Sequence, residues 1–370
     1  MGGVTTHRRT TMETATGVRV VLEPAAEAIA FLGADLPLQR IAVTEVTLRP
    51  GELLVEVELA TVCERDLRTA LGERPASAAQ VLGHEQVGRI VACGPGSPAT
   101  TVDGVPLSLG DRIVWAATVD CGACEMCRDG IPEACLDQRR YGHERVRRGW
   151  ELSGGLATHV HLVAGTAVVR ARDWIPAEVF APAACATAIA AAALDAAEQV
   201  RPLSGETVLV SGCDAVGLTA VAMAAARGAR VLAVDPDPHR RTPAPAFGAE
   251  STHRPGRAPA GYRVALEFGG SPEAVTDAVA GAGPGAVLVL AESAEGASGA
   301  VPAATLVERG LTVRGVRGYR PEHLLDAVRF LERADHGLFS GLIGRTVPFS
   351  DAVAALTSPV ARGALIAVRP

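Results

Sequence analysis

The 370-residue chain contains no lysine and no asparagine. The absence of lysine excludes a Schiff base or a lysine general base. All 35 basic residues are therefore arginines, which stay protonated. Aromatic residues make up only 4% against 48% hydrophobic residues, so the cores must be built mainly from Ala, Val and Leu. Blocks of one charge sign are missing too: 41 acidic residues leave a net charge of −6 with both signs interspersed. Neither a nucleic-acid face nor a polybasic membrane patch is expected. Long apolar runs are also lacking. The longest, around 181–194, is mostly alanine and holds Pro182 and Thr187, so it does not read as a membrane span. The first residues carry charge and no apolar stretch, so no signal peptide is expected and residues 1–15 read as a loose extension. The excess of Ala, Gly, Pro and Arg points to a GC-rich, bacterial genome, and a cytoplasmic location is expected.

The length corresponds to two domains on the usual size range. Alternating patterns such as LLVEVELATV (Leu53 to Val62) read as antiparallel strands with one wet face. From about Ala183 an Ala-rich helical stretch leads into a strand at 207–212. Strand–helix alternation then follows, with strands expected at 230–235, 263–267, 286–291 and 311–316. The Pro-rich segment 240–262 reads as irregular surface, and a helix is expected at 321–334 before short terminal strands. A β-rich domain built from both chain ends, with a doubly wound parallel domain inserted, accounts for this order.

Four of the eight cysteines, Cys121, Cys124, Cys127 and Cys135, lie within fifteen residues with spacing C-x2-C-x2-C-x7-C. Such spacing lets four thiolates converge on one tetrahedral Zn²⁺ with no open position, which is a structural site. An iron–sulfur site or unligated thiols are the alternatives. Three further residues are dispersed: Cys63 after a strand, His84 in LGHEQ, and Cys185 in APAACATA. One His and two Cys would leave a fourth position open, as a catalytic zinc needs. Alone, each reads more simply as buried filler or surface; it is their order, with the cysteine lobe between them, that lifts the joint reading. Cys93 and Cys213 fit neither set and read as small buried residues. Finally, 208–235 reads as strand, tight turn, helix, strand and acid, with Gly212 and Gly217 bracketing Asp214 where such turns normally carry a second glycine.

Together, Cys63, the triplet Gly83-His84-Glu85, the cysteine lobe, Cys185 and the downstream strand–turn–helix resemble the zinc-dependent medium-chain dehydrogenase/reductase family, from about Val18 to Pro370. Within it, the segment from Tyr141 to Val169 is similar to the branch associated with phosphonate metabolism, with cyclitol and polyol dehydrogenases as neighbours. The resemblance implies an α/β fold. A GroES-like β-rich catalytic domain would cover 16–185 and 322–370, with the structural-zinc lobe at 121–135. A doubly wound parallel Rossmann domain would cover 186–321. It also implies a zinc-dependent alcohol dehydrogenase with two Zn²⁺ per chain, using NAD(H) in preference to NADP(H) on a small-molecule substrate. A homodimer or homotetramer is expected, with no nucleic acid and no membrane as partner. Cys63, His84 and Cys185 would hold the catalytic zinc, Glu85 would exchange with water beside it, and Asp66 would orient His84. Gly212, Asp214, Ala215, Val216, Gly217, Asp235 and Arg240 would bind the cofactor.

Two departures qualify these expectations. Family members usually continue after the first zinc cysteine with a Ser or Thr and then a His that relay a proton, whereas this chain has Arg65 and Arg68. Arginine cannot act as a base, but it can hold an anionic group bidentately. Asp214 brings negative charge where pyrophosphate is expected. Asp235 favours NAD, while His239, Arg240 and Arg241 nearby weaken that preference. The alternative reading is a non-catalytic, zinc-binding descendant used for binding or assembly.

Overall fold

Leu53–Val62 alternates as expected and becomes the centre of a seven-stranded sheet. The computed structural model describes residues 8–96, 99–291, 301–357 and 364–370. The sheet runs Val168–Arg170, Arg112–Trp115, Glu85–Cys93, Leu53–Val62, Leu365–Arg369 and Ile343–Pro348, with His159–Leu162 also pairing with the central strand. The C-terminal strand therefore completes a sheet begun near the N-terminus, as expected for a domain made from both ends. Thr61 lies directly opposite Glu85 across the ladder. Apolar faces of this sheet bury Val55, Ile113, Trp115, Tyr141 and Val160 in one cluster.

A smaller antiparallel sheet joins Gln39–Leu48 to Gly17–Phe31 and Gly17–Phe31 to Arg8–Thr14. The expected loose extension is thus corrected: Arg8–Thr14 is a strand whose register runs from Arg8 opposite Glu23 to Thr14 opposite Gly17. Residues 1–7 lie outside the described residues.

A second unit begins at Cys185 and runs to Leu338. Its six strands are all parallel, in the order Ala249–His253, Arg230–Val234, Thr207–Ser211, Tyr262–Glu267, Ala282–Leu290, Thr312–Gly315. That order reverses direction between Thr207–Ser211 and Tyr262–Glu267, which creates a crevice at the carboxyl ends of the strands. Ala249–His253 lies within the segment expected to be irregular. It is an edge strand of mostly polar residues, so it carries no apolar alternation to reveal it.

The boundary expected at 321/322 is also corrected. Helix Pro321–Leu331 packs on helix Ala186–Glu198 and belongs to the second unit. Its buried Leu324, Ala327, Val328 and Leu331 form one helical stripe, and His323 Nε2 lies 3.3 Å from Asp195 Oδ2. Helices Ala186–Glu198 and Ala215–Ala226 also pack together, their alanines allowing close approach without aromatic filler. Among the described residues no single helix is long and apolar enough to cross a membrane.

Candidate active site

The strand Leu53–Val62 runs directly into Cys63, the N-cap of helix Glu64–Ala70. This turn places Asp66 inside the protein, with 0% exposure. Its Oδ2 accepts from Cys63 N and its Oδ1 from Gly83 N, both at 3.3 Å. Asp66 Oδ1 also lies 3.4 Å from His84 Nδ1. The opposite ring nitrogen, Nε2, is 3.5 Å from Cys63 Sγ. Burial pushes the Asp66 pKa up, but the His84 charge and contact and the Cys63 amide outweigh it and hold the carboxyl well below its usual range. Burial likewise pulls the His84 pKa down, and the Asp66 carboxylate overcomes it to leave a net rise. The pair is thus an aspartate behind a histidine whose far nitrogen faces a thiol, the arrangement that orients a metal-binding imidazole.

Two donor triplets share His84. Ligand atoms of Cys63, Asp66 and His84 lie within 4.8 Å of one another, as do those of His84, Glu85 and Cys185. Glu85, 1% exposed, accepts from Thr61 Oγ1 at 2.7 Å, a contact prepared by their cross-strand register. Cys185, bonded to Ala184, caps helix Ala186–Glu198. Arg65 is exposed and Arg68 half-buried on helix Glu64–Ala70, and the Arg65 charge reaches both His84 and His143.

His143 is a site residue that the sequence did not reveal. Its ring centroid is 4.5 Å from that of His84, tilted by 42°. Burial first, and then the His84 charge, drive its pKa down to about 3, so it is neutral at physiological pH. A lone His in an irregular loop has no spacing that announces this contact.

In the cysteine lobe the four thiols converge within 4.8 Å. Cys124 Sγ lies 3.5 Å from Cys127 Sγ and 3.9 Å from Cys135 Sγ. Four sulfurs each about 2.3 Å from one ion stand about 3.8 Å apart, so these separations match tetrahedral zinc. Amides of Ala123 and Cys124 donate to Cys121 Sγ at 3.5 and 3.3 Å, and Cys121 N donates to Cys135 Sγ at 3.2 Å. Such donors favour thiolates. Cys213 is buried, as expected, and Cys93 is half-buried; neither joins a metal set among the described residues.

The second unit carries the glycine turn. Gly212 has φ +95°, and a Cβ there would meet Gly269 N at 3.0 Å. A Cβ on Gly217 would lie 1.8 Å from Gly212 O, so no side chain fits where the helix crosses the turn. Asp214 N-caps helix Ala215–Ala226, its Oδ1 accepting from Gly217 N at 3.0 Å. Asp235, 3% exposed, accepts from Cys213 N at 2.9 Å and Asp237 N at 2.8 Å. Arg240 is half-buried on the short helix that follows. A second unforeseen residue is Glu267, at the carboxyl end of the adjacent strand. It accepts from Ser211 Oγ at 3.2 Å and from Gly269 N and Gly270 N at 2.9 Å each, and burial raises its pKa.

A family model for the alcohol dehydrogenase GroES-like domain matches residues 49–173, and one for zinc-binding dehydrogenase matches residues 215–333. A 5-exo-hydroxycamphor dehydrogenase from Pseudomonas putida is 34% identical over 205 residues, 55% of this chain and 55% of that protein. The chain thus spans little more than half the length of that relative. An L-threonine 3-dehydrogenase from Streptomyces avermitilis is 30% identical over 256 residues, 64% of this chain and 68% of that protein. The crystal structure of an alcohol dehydrogenase from Thermotoga maritima is similar with a TM-score of 0.84 and 26% identity, covering 93% of this chain and 99% of that one. The chain belongs to the zinc-type alcohol dehydrogenase family of medium-chain dehydrogenases/reductases.

Proposed function

We propose that this chain is a zinc-dependent, nicotinamide-linked dehydrogenase that interconverts an alcohol and a carbonyl compound. The observation that carries this reading is the gathering of thiol, imidazole and carboxylate donors about His84, with buried Asp66 behind its Nδ1. Two cysteines and one histidine, with an exchangeable Glu85, suit a zinc that keeps a position open for substrate. Cys121, Cys124, Cys127 and Cys135 would hold a second, structural ion. Their sulfur separations and N–H donors fit it.

When bound, the catalytic ion would polarise the substrate oxygen and the nicotinamide ring would exchange a hydride with the carbon that bears it. The protein's own residues supply the rest. Asp66 keeps the His84 ring in one orientation and favours the tautomer with its proton on Nδ1. Thr61 holds one oxygen of Glu85 by donating to it. Ala215 and Val216, at the first turn of a 12-residue helix, offer amides to the cofactor phosphates. The Asp235 oxygens each accept one amide and retain a lone pair for a ribose hydroxyl. A 2′-phosphate would meet that carboxylate, which supports NAD(H) over NADP(H), with Arg240 contributing to the same subsite.

Arg65 and Arg68 stand where proton-relay groups are expected. They support a substrate bearing a phosphonate or another anionic group, in line with the resemblance of 141–169; a cyclitol is the neutral counterpart. The partner is a small molecule, and the state in solution a homodimer or homotetramer in the cytoplasm. Asp214 favours a second reading, a descendant that keeps metal and fold without turnover. Zinc counting with NADH titration on the purified protein decides. Two zinc ions and micromolar NADH binding support the dehydrogenase; one ion and no binding support the second reading.

A further inference from the structure

We infer that Asp214 is an internal competitor for cofactor phosphate, a carboxylate that caps helix Ala215–Ala226 and at the same time weakens dinucleotide binding at its start. The inference rests on the dehydrogenase reading and concerns the affinity of its nucleotide site. Around the turn, the amide donors are already engaged by acids of this chain. Cys213 N donates to Asp235, Gly217 N to Asp214, and Gly269 N and Gly270 N to Glu267. In the helix's first turn, the Ala215 and Val216 amides have no intrahelical acceptor and remain for an anion. A phosphate accepting from those two amides stands beside a carboxylate that Gly217 N holds in place. Gly217 and Gly212 are in backbone contact on either side of Asp214, and a Cβ at Gly217 would lie 1.8 Å from Gly212 O. The neighbouring Arg241 donates through its Nη1 to Asp235 O and Pro236 O, and the charges of Arg240 and Arg241 reach the turn at Cys213.

The two roles separate chemically. A side-chain oxygen caps a helix whether or not it is charged, and Asn caps as well as Asp. Only the charge repels phosphate, and two unit charges about 5 Å apart in a water-like dielectric already shift an equilibrium about fourfold. The test is NADH and NADPH titration by calorimetry into wild type, Asp214→Asn and Asp214→Ala. Each is run at about 0.02 M and about 0.5 M salt, where screening lengths differ several-fold, with thermal unfolding measured in parallel.

Asp214→Asn should keep the thermal midpoint and bind cofactor about fourfold or more tighter at low salt, the gain shrinking at high salt. Asp214→Ala should lower the midpoint, from loss of the cap, and still bind more tightly than wild type. A wild type that binds cofactor while Asp214→Asn binds no better overturns the inference and leaves the dehydrogenase reading standing. So does a gain that is independent of salt, which would assign the effect to bulk rather than charge. Absence of binding in all three proteins overturns both.

Discussion

Asp66→Asn is the most incisive perturbation of the metal site, because it changes one atom in a residue with no exposure. The carboxylate accepts two hydrogen bonds, Cys63 N on Oδ2 and Gly83 N on Oδ1, and its Oδ1 also faces His84 Nδ1 at 3.4 Å. An asparagine must turn its NH₂ toward one of these sides. If it faces Cys63 N, two donors oppose each other and the start of helix Glu64–Ala70 loses its anchor. If it faces the other side, Gly83 N loses its acceptor and His84 Nδ1, 3.4 Å away without a hydrogen bond, loses the negative charge it faces. Either way a charge-assisted hydrogen bond of about 1.5–3 kcal/mol disappears and a buried donor is left unmade. Part of this is offset by no longer burying a charge, so a net loss of roughly 2–3 kcal/mol in urea unfolding is expected. The effect on metal should be larger in kind. Removing the group that orients a ligand histidine typically lowers metal affinity about 10–100-fold. Chelator competition followed by elemental analysis should therefore show one zinc leaving early from Asp66→Asn, with the cysteine-lobe zinc as resistant as in wild type. Equal resistance of both ions in wild type and variant would show that Asp66 is a helix anchor alone, and would refute its role behind His84.

Further outcomes follow from the same geometry. Cys124→Ser should destabilise the fold, because it opens a closed site whose metal affinity is folding free energy, whereas Cys63→Ser should abolish turnover with a much smaller shift in thermal midpoint. Alanine at both Arg65 and Arg68 should raise KM for a phosphonate or phosphate alcohol far more than for a neutral one, a charge-assisted contact being worth about 1.5–3 kcal/mol; equal effects on both substrates would count against anion recognition. The Glu52–His161 pair, 2.9 Å apart, offers a pH test away from the metal ligands. Burial raises the Glu52 pKa, but the His161 hydrogen bond and the Arg49 amide prevail and leave it below its ordinary 4.5. Its contribution is therefore present above pH 4.5 and is lost as pH falls through the lower folded value. Glu52→Gln should flatten that acid limb of the urea-measured stability curve, by about 1 kcal/mol or less; an unchanged limb would reject the assignment.

The groups legible in the sequence are those whose chemistry demands a spacing. Cys121 to Cys135 must converge on one point, and the strand, turn and helix around Gly212 and Gly217 must cross closely, so both leave patterns. Asp235 and the set Cys63, His84 and Cys185 stand out only through their order along the chain. Residues whose role depends on register or packing were silent. Thr61 meets Glu85 because two strands align, His143 meets His84 because a loop folds back, and Glu267 gathers amides at the end of a strand that reads only as apolar. Ala249–His253 was invisible because an edge strand need not alternate. Helix Pro321–Leu331 shows by its stripe that it packs, but not on what, so the sequence does not place it in the second unit. In the sequence Asp214 reads as an obstacle to phosphate, and the N-cap preference of aspartate, with Gly217 three residues on, is the sign of its structural role.

The departures from the family pattern fall where the physics of the fold tolerates them. Asp66 and Glu85 are buried charges held by specific donors, and altering either strands a polar group inside the protein, so chemistry and folding constrain them together. Arg65 is exposed and Arg68 half-buried on the same short helix, so a change of side chain there disturbs little packing while altering the field that an incoming substrate meets. Asp214 is intermediate. It could replace a glycine because its conformation is extended (φ −80°, ψ −168°), which any L-residue adopts, and because its carboxylate found an amide to accept from. Gly212 and Gly217 had no such freedom, one for its positive φ and the other for its contact with the turn. The buried acids Asp66 and Glu85 thus sit at positions where the fold is intolerant, and the charge changes at Arg65, Arg68 and Asp214 at positions where it is not.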